Sequence, residues 1–132
     1  MFNHIMVGTN DIDQARSFYN AVIGSLGFTG EPVSNRADSG HARLFYFYKG
    51  GIFCVSEPIN DEPASFANGG TIGFKCESTE QVDAFHDSAV ANSGKSIEEP
   101  PGYRQGKTLG KIYLAYVRDP DGNKLCAIYR PK

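Results

Sequence analysis

Apolar residues recur along this chain in two alternating rhythms, one of short strands and one of helices. Phe2 to Thr9 is a short apolar stretch that predicts a strand. Ile12, Ala15, Phe18, Tyr19, Val22 and Leu26 then fall at three- and four-residue steps, which places them on one face of an amphipathic helix. Asn10 and Asp11 offer side-chain oxygens to the first free backbone N–H groups of that helix, and Gly27 stops it. Further strands are predicted over 28–33, 42–48 and 52–56, with a polar loop over 34–40 and a hairpin turn at Lys49-Gly50-Gly51.

After a polar midpoint over 60–70 the order of elements returns. Thr71 to Cys76 predicts a strand, and Ser78 with Gln81 three places later reads as a capping box opening a helix with Val82, Phe85 and Ala89 inward. Gly94 is expected to end it in the left-handed conformation. A brief strand over 95–99, a loop over 100–110 and two strands around the Asp119-Pro120-Asp121-Gly122 turn complete the chain. A shift of 67 positions lays Phe18-Tyr19 on Phe85-His86 and Gly27 on Gly94. A shift of 72 lays Gly50 on Gly122 and Cys54 on Cys126. The fold class is therefore expected to be α+β, a single domain over 1–132 of two tandem βαβββ modules, about 1–59 and about 70–132. Neither half can bury its sheet face alone, so the two should share a core. Their curved mixed sheet would leave a cup on the face away from the helices.

Composition narrows the function classes. A formal charge of −2 provides no basic face for nucleic acid. No apolar run approaches the roughly 18 residues of a membrane span, and no secretory signal opens the chain. Cys54, Cys76 and Cys126 are odd in number and far apart, which points to free thiols and a cytoplasmic setting.

Four motifs in order carry a resemblance. His4-Ile5-x-Val7, Asp11-Ile12-Asp13-Gln14-Ala15-x-x-Phe18-Tyr19 with Leu26-Gly27-Phe28, Gly70-Thr71-Ile72-Gly73-Phe74, and Val117-Arg118-Asp119-Pro120-Asp121-Gly122-Asn123 resemble the vicinal oxygen chelate superfamily. That group holds glyoxalase I, bleomycin-resistance proteins and extradiol dioxygenases. The resemblance implies a divalent metal held in the cup by His and Glu, acting on a substrate with two neighbouring oxygens. His4 stands where the family has its first His. Cys54 and Cys126 stand at the two Glu positions, and Ile72 at that of the second His.

Isoleucine cannot bind a metal, and the loss of both carboxylates removes the general base of a glyoxalase mechanism. His4, Cys54 and Cys126 are left as candidate metal ligands, a set that suits zinc, or else as two buried thiols and a pocket histidine. For a ligand in the cup the candidates are His4, the strand tyrosines Tyr46 and Tyr113, and Arg104 in a glycine-rich basic loop with Lys107 and Lys111. No residue is singled out as catalytic, Cys76 reads as plain core, and neither His41 nor His86 has an evident catalytic partner. The expected activity is small-molecule binding or sequestration, with a metal-dependent lyase or isomerase as the alternative. The resemblance also implies a homodimer.

Overall fold

The structure, a computed structural model, describes residues 1–132. Its elements are β1 (His4–Gly8), α1 (Ile12–Ser25), β2 (Val33–Arg36), β3 (Ala42–Tyr48), β4 (Gly51–Ser56), β5 (Ile72–Lys75), α2 (Thr79–Ala91), β6 (Lys95–Gly106), β7 (Gly110–Arg118) and β8 (Lys124–Tyr129). They form two mixed four-stranded sheets of matching order, β1-β4-β3-β2 and β5-β8-β7-β6. In each, the first strand runs parallel to the last and the rest are antiparallel. This is the tandem βαβββ arrangement that the repeat predicts.

Both helices lie on one side. Phe18, Tyr19 and Val22 of α1 and Val82, Phe85 and Ala89 of α2 join Leu44, Tyr46, Phe53, Val55, Ala115, Val117, Leu125 and Ala127 in one core of 17 buried residues. Residues of both modules enter this cluster, so its interior belongs to neither half. Burial of each large apolar side chain contributes roughly 1.5–3 kcal/mol. Strand alternation sends the intervening residues, among them Met6, Cys54, Tyr116 and Cys126, to the opposite face. There Ile112, Leu114 and Cys126 form a smaller cluster with Tyr116 and Ile128.

The helix starts follow local chemistry. Asp11 accepts the N–H groups of Asp13 and Gln14 at 3.1 and 3.0 Å, and Ser78 accepts that of Gln81 at 3.1 Å. The return bond of the second cap differs from a capping box, because the Gln81 side chain accepts the Glu77 N–H instead. At the end of α2 the left-handed residue is Ser93, with φ 73°, not Gly94. Glycine is required at 94 for space. A Cβ there would lie 2.6 Å from the Ala89 carbonyl oxygen and 2.7 Å from the Phe18 ring.

Two strand boundaries differ from the sequence expectation. The second strand is Val33–Arg36, not 28–33; it is exposed throughout, so no alternation of apolar residues marks it. The expected loop over 100–110 is mostly strand, since β6 continues to Gly106 and pairs with β7 across a register shift between Ile97 and Gly102. Pro100 and Pro101 suggest a loop, but an edge strand at a bulge tolerates them because it need not donate there. The basic residues Arg104, Lys107 and Lys111 thus belong to a hairpin.

Candidate functional site

β1 and β5 are edge strands that face each other across the cavities they line together, without a hydrogen-bonded ladder between them. Ile5 near the start of β1 shares a cavity with residues 72–75 of β5. Residues 6–8 at the end of β1 share another with Gly70, Thr71 and Ile72. The two edge strands therefore run in opposite directions along the seam, and the repeat makes its two ends equivalent.

Those ends are built differently. At one, the turn after β7 is welded to the first module. The Tyr19 hydroxyl donates to Asp119 Oδ2 at 2.5 Å, with both residues buried. Asp119 Oδ1 accepts the N–H groups of Asp121 and Asn123, each at 2.9 Å, and Asp121 Oδ1 accepts the Asn10 N–H at 2.8 Å. Phe66 of the linker packs over Gly122, with Arg118 stacked 4.9 Å from the ring centroid.

At the other end, the strand registers put Tyr48 where Asp119 stands, since Tyr46 pairs with Phe53 as Val117 pairs with Leu125, and the shift of 67 puts His86 where Tyr19 stands. No buried carboxylate network forms there, although a bond from Gln81 to the Ser25 carbonyl crosses between the modules. Instead a cavity of about 330 Å³ opens between α1, the β3–β4 hairpin and β5. Ile5, Ile23, Leu26, Tyr48, Phe53 and Phe74 supply much of its wall, and Lys49, Lys75, Glu77 and Gln81 also line it.

The polar groups of the wall are already engaged. Tyr46 donates to Asn20 Oδ1 at 2.7 Å, and burial pushes its pKa well above the ordinary value of 10.0. Tyr48 donates to the Leu26 carbonyl at 3.1 Å, beside Gly27, whose φ of 114° and contact with that hydroxyl both exclude a side chain. Gln81 accepts from the Glu77 N–H and donates to the Ser25 carbonyl at 3.2 Å. The deep wall is apolar in effect as well as in composition.

The ligand candidates do not gather in one place. Tyr46 lines the seam cavity from the helix side. Tyr113 also turns towards the helices, where it donates to Asp83 Oδ1 at 2.7 Å; that bond leads the effects that push its pKa up to about 12. Arg104 reaches back to the Pro100 carbonyl at 3.0 Å. His4 is exposed at the start of β1, its Nδ1 2.8 Å from Asn3 Oδ1. Alternation places Tyr46 and Tyr113 away from the cup, because each shares a strand face with core residues.

His4, Cys54 and Cys126 do all turn to the face away from the helices, since Ile5, Phe53, Val55, Leu125 and Ala127 between and beside them pack on the core. They do not make a metal centre: no group of three His, Cys, Asp or Glu side chains is placed to hold an ion. Cys54 lies beside Met6 and Phe45, whereas His4 lies beside Ile52. Burial raises both thiol pKa values, that of Cys126 to about 11, which opposes the thiolate form a metal needs. The donor set does not fit the divalent metal that the resemblance implies.

Ile72 does not face the cup. It packs on the core, and the shift of 67 from His4 leads to Thr71, which shares the cup-side face with Gly73. Thr71, not Ile72, occupies the place of the second His. Cys76 is core, as its sequence context predicts.

Slow thiol chemistry follows. Both Cys76 and Cys126 are pushed from 9.0 up to about 11 by burial, so about a hundredfold less thiolate is present at a given pH below 9. At pH 8, a disulfide reagent such as dithionitrobenzoate is expected to label the native protein at least about a hundredfold more slowly than the urea-unfolded chain. Native labelling of Cys126 at the unfolded rate would contradict its placement.

Comparison with known proteins agrees with this architecture. The family model for the Glyoxalase/Bleomycin resistance protein/Dioxygenase superfamily matches residues 1–127. Among solved structures, the chain is similar to a glyoxalase/bleomycin resistance protein from Albidiferax ferrireducens T118, with 51% identity and a TM-score of 0.89, covering 98% of this chain and 99% of that one. A glyoxalase-related enzyme from Fulvimarina pelagi is 17% identical with a TM-score of 0.68, covering 99% of this chain and 88% of that one. A lactoylglutathione lyase from Agrobacterium tumefaciens is 19% identical with a TM-score of 0.63, covering 98% and 92% respectively. At such identities the likeness of the last two is one of fold. Comparison with curated proteins gives no match. With the repeat, the sheet order and a family match over nearly its whole length in agreement, the chain belongs to the glyoxalase/bleomycin resistance protein/dioxygenase superfamily.

Proposed function

We propose that this protein binds a small, largely apolar molecule in the seam cavity and sequesters it without covalent chemistry. The observation that carries the reading is the asymmetry of the seam. One end is tied by a buried polar network and keeps a cavity of about 300 Å³ lined mostly by glycine and polar residues, while its equivalent is a mostly apolar cavity of about 330 Å³. That volume falls at the lower end of the range for small-molecule pockets, and the side-chain polar groups of Tyr46, Tyr48 and Gln81 in its wall are satisfied within the chain. The charged residues of the lining, Lys49, Lys75 and Glu77, are exposed, and no metal-ligand cluster faces the space. In the same reading the protein is a cytoplasmic homodimer, supported by its free thiols and its family; no helix is long and apolar enough to cross a membrane.

A neutral aromatic probe, naphthalene-2-carboxamide, tests the cavity. It is expected to perturb amide resonances of Ile5, Tyr48 and Phe74 on titration. Ile5→Phe, which fills the space from β1, is expected to weaken binding at least tenfold while the urea midpoint moves little, because added volume enters a void. Full affinity in a folded Ile5→Phe protein, or perturbations confined to the cup around Cys126, would place the ligand elsewhere.

A further inference from the structure

We infer that the ligand of the seam cavity is an amphiphile with one anionic group, an aromatic or aliphatic carboxylate whose apolar body lies against Phe53, Phe74 and Tyr48 and whose charge stays at the mouth between Lys49 and Lys75. This inference rests on the cavity being the binding site and adds the class of molecule it takes.

Two observations support it. First, polarity in the lining is segregated. The hydroxyls of Tyr46 and Tyr48 and the amide of Gln81 are spent on Asn20, Leu26, Ser25 and Glu77, and no buried side-chain nitrogen or oxygen is left without a partner. A polar atom of a ligand placed deep would lose its water and find no free side-chain partner among the buried groups of the wall. The side chains of the wall thus favour a ligand whose buried part is apolar.

Second, apart from two glycines, the lining residues that remain exposed are charged: Lys49, Lys75 and Glu77. None of the three is in an ion pair; the chain's ion pairs join His41 to Asp61, His86 to Asp87 and Lys124 to Glu98. Lys49 Nζ lies 5.3 Å from the centroid of the Tyr48 ring, itself a wall of the cavity, so one ammonium is held at the entrance by cation–π attraction. Two ammonium groups against one carboxylate leave the entrance with a net positive charge. A single anion is the complement; a cation would face the pair, and a neutral ligand would leave both unused.

The same probe with one atom changed tests the charge. Naphthalene-2-carboxylate is expected to bind at least tenfold more tightly than naphthalene-2-carboxamide at low salt, with the preference shrinking towards unity at 1 M salt as screening shortens to about 3 Å. The Lys49→Gln/Lys75→Gln double variant should lose the preference and keep its affinity for the carboxamide. Both side chains are exposed and free of ion pairs, so the variant is expected to fold as the parent does. Equal affinity for the two probes, or a preference that survives in the double variant, overturns the anionic assignment while leaving the cavity as a binding site. Failure of both probes to bind overturns the cavity reading itself.

Discussion

Replacing Asp119 by alanine is expected to lower folding stability by about 3–4 kcal/mol, read as a fall in the urea midpoint at unchanged slope. The side chain accepts four hydrogen bonds: from the Tyr19 hydroxyl at 2.5 Å, and from the Asp121 N–H, the Asn123 N–H and the Asn123 side-chain amide at 2.9 Å each. Bonds to a charged group contribute about 1.5–3 kcal/mol each, and part of the sum returns because alanine no longer buries a carboxylate. What does not return is the cost of leaving the Tyr19 hydroxyl dry and unpartnered. Tyr19→Phe leaves no orphaned hydroxyl but takes one bond from the buried carboxylate, and should cost about 1.5–3 kcal/mol. The double variant should then be less unstable than the two losses summed, which separates the cross-module bond from the turn's own needs. A loss below about 1 kcal/mol in Asp119→Ala would show that the weld is not what fixes this end of the seam.

A pair of substitutions one residue apart is expected to act in opposite directions. Gly94→Ala should cost about 2–3 kcal/mol, because the new methyl would overlap the Ala89 carbonyl oxygen and the Phe18 ring. The oxygen cannot yield cheaply, since it accepts the N–H groups of Asn92 and Gly94 at 3.1 and 2.8 Å. Ser93→Gly should be neutral or stabilising by up to about 1 kcal/mol, as it relieves a side chain from a left-handed backbone. Thermal unfolding of both variants decides the matter. A neutral Gly94→Ala would mean that α1 and α2 are less closely packed than described.

How much of this can be read from the amino-acid order depends on what each element buries. Both helices carry a full apolar face on a common core, so Phe18 and Phe85 announce them by spacing alone. The exposed edge strand β2 has no buried face and therefore no pattern. Pro100 and Pro101 disguise β6, since only the sheet order reveals that it lies at an edge where proline does no harm. The cup-side placement of Cys54 and Cys126 follows from alternation, which tells which face a residue takes but not how far it stands from its neighbours. Hence the thiols share a face with His4 without forming a site. Thr71 was within reach, because the repeat shift itself leads from His4 to it; reading Ile72 instead is a slip of one residue, and in a strand one residue is the opposite face. The seam cavity had no such signal. It arises where Tyr48 and His86 fail to reproduce the Asp119–Tyr19 pair, and that failure matters only once β1 and β5 are known to face each other.

The linker from 57 to 71 does more than join two similar halves. Because β1 and β5 exchange no backbone hydrogen bonds and the common core draws on both modules, the boundary between the halves is chemically that of a subunit interface. A short covalent tether makes such an association intramolecular, with an effective concentration of order millimolar. The halves can thus remain joined by a contact too weak to hold separate chains together at cellular dilution. That leaves one end of the boundary free to keep a void that a self-assembling pair would have had to fill.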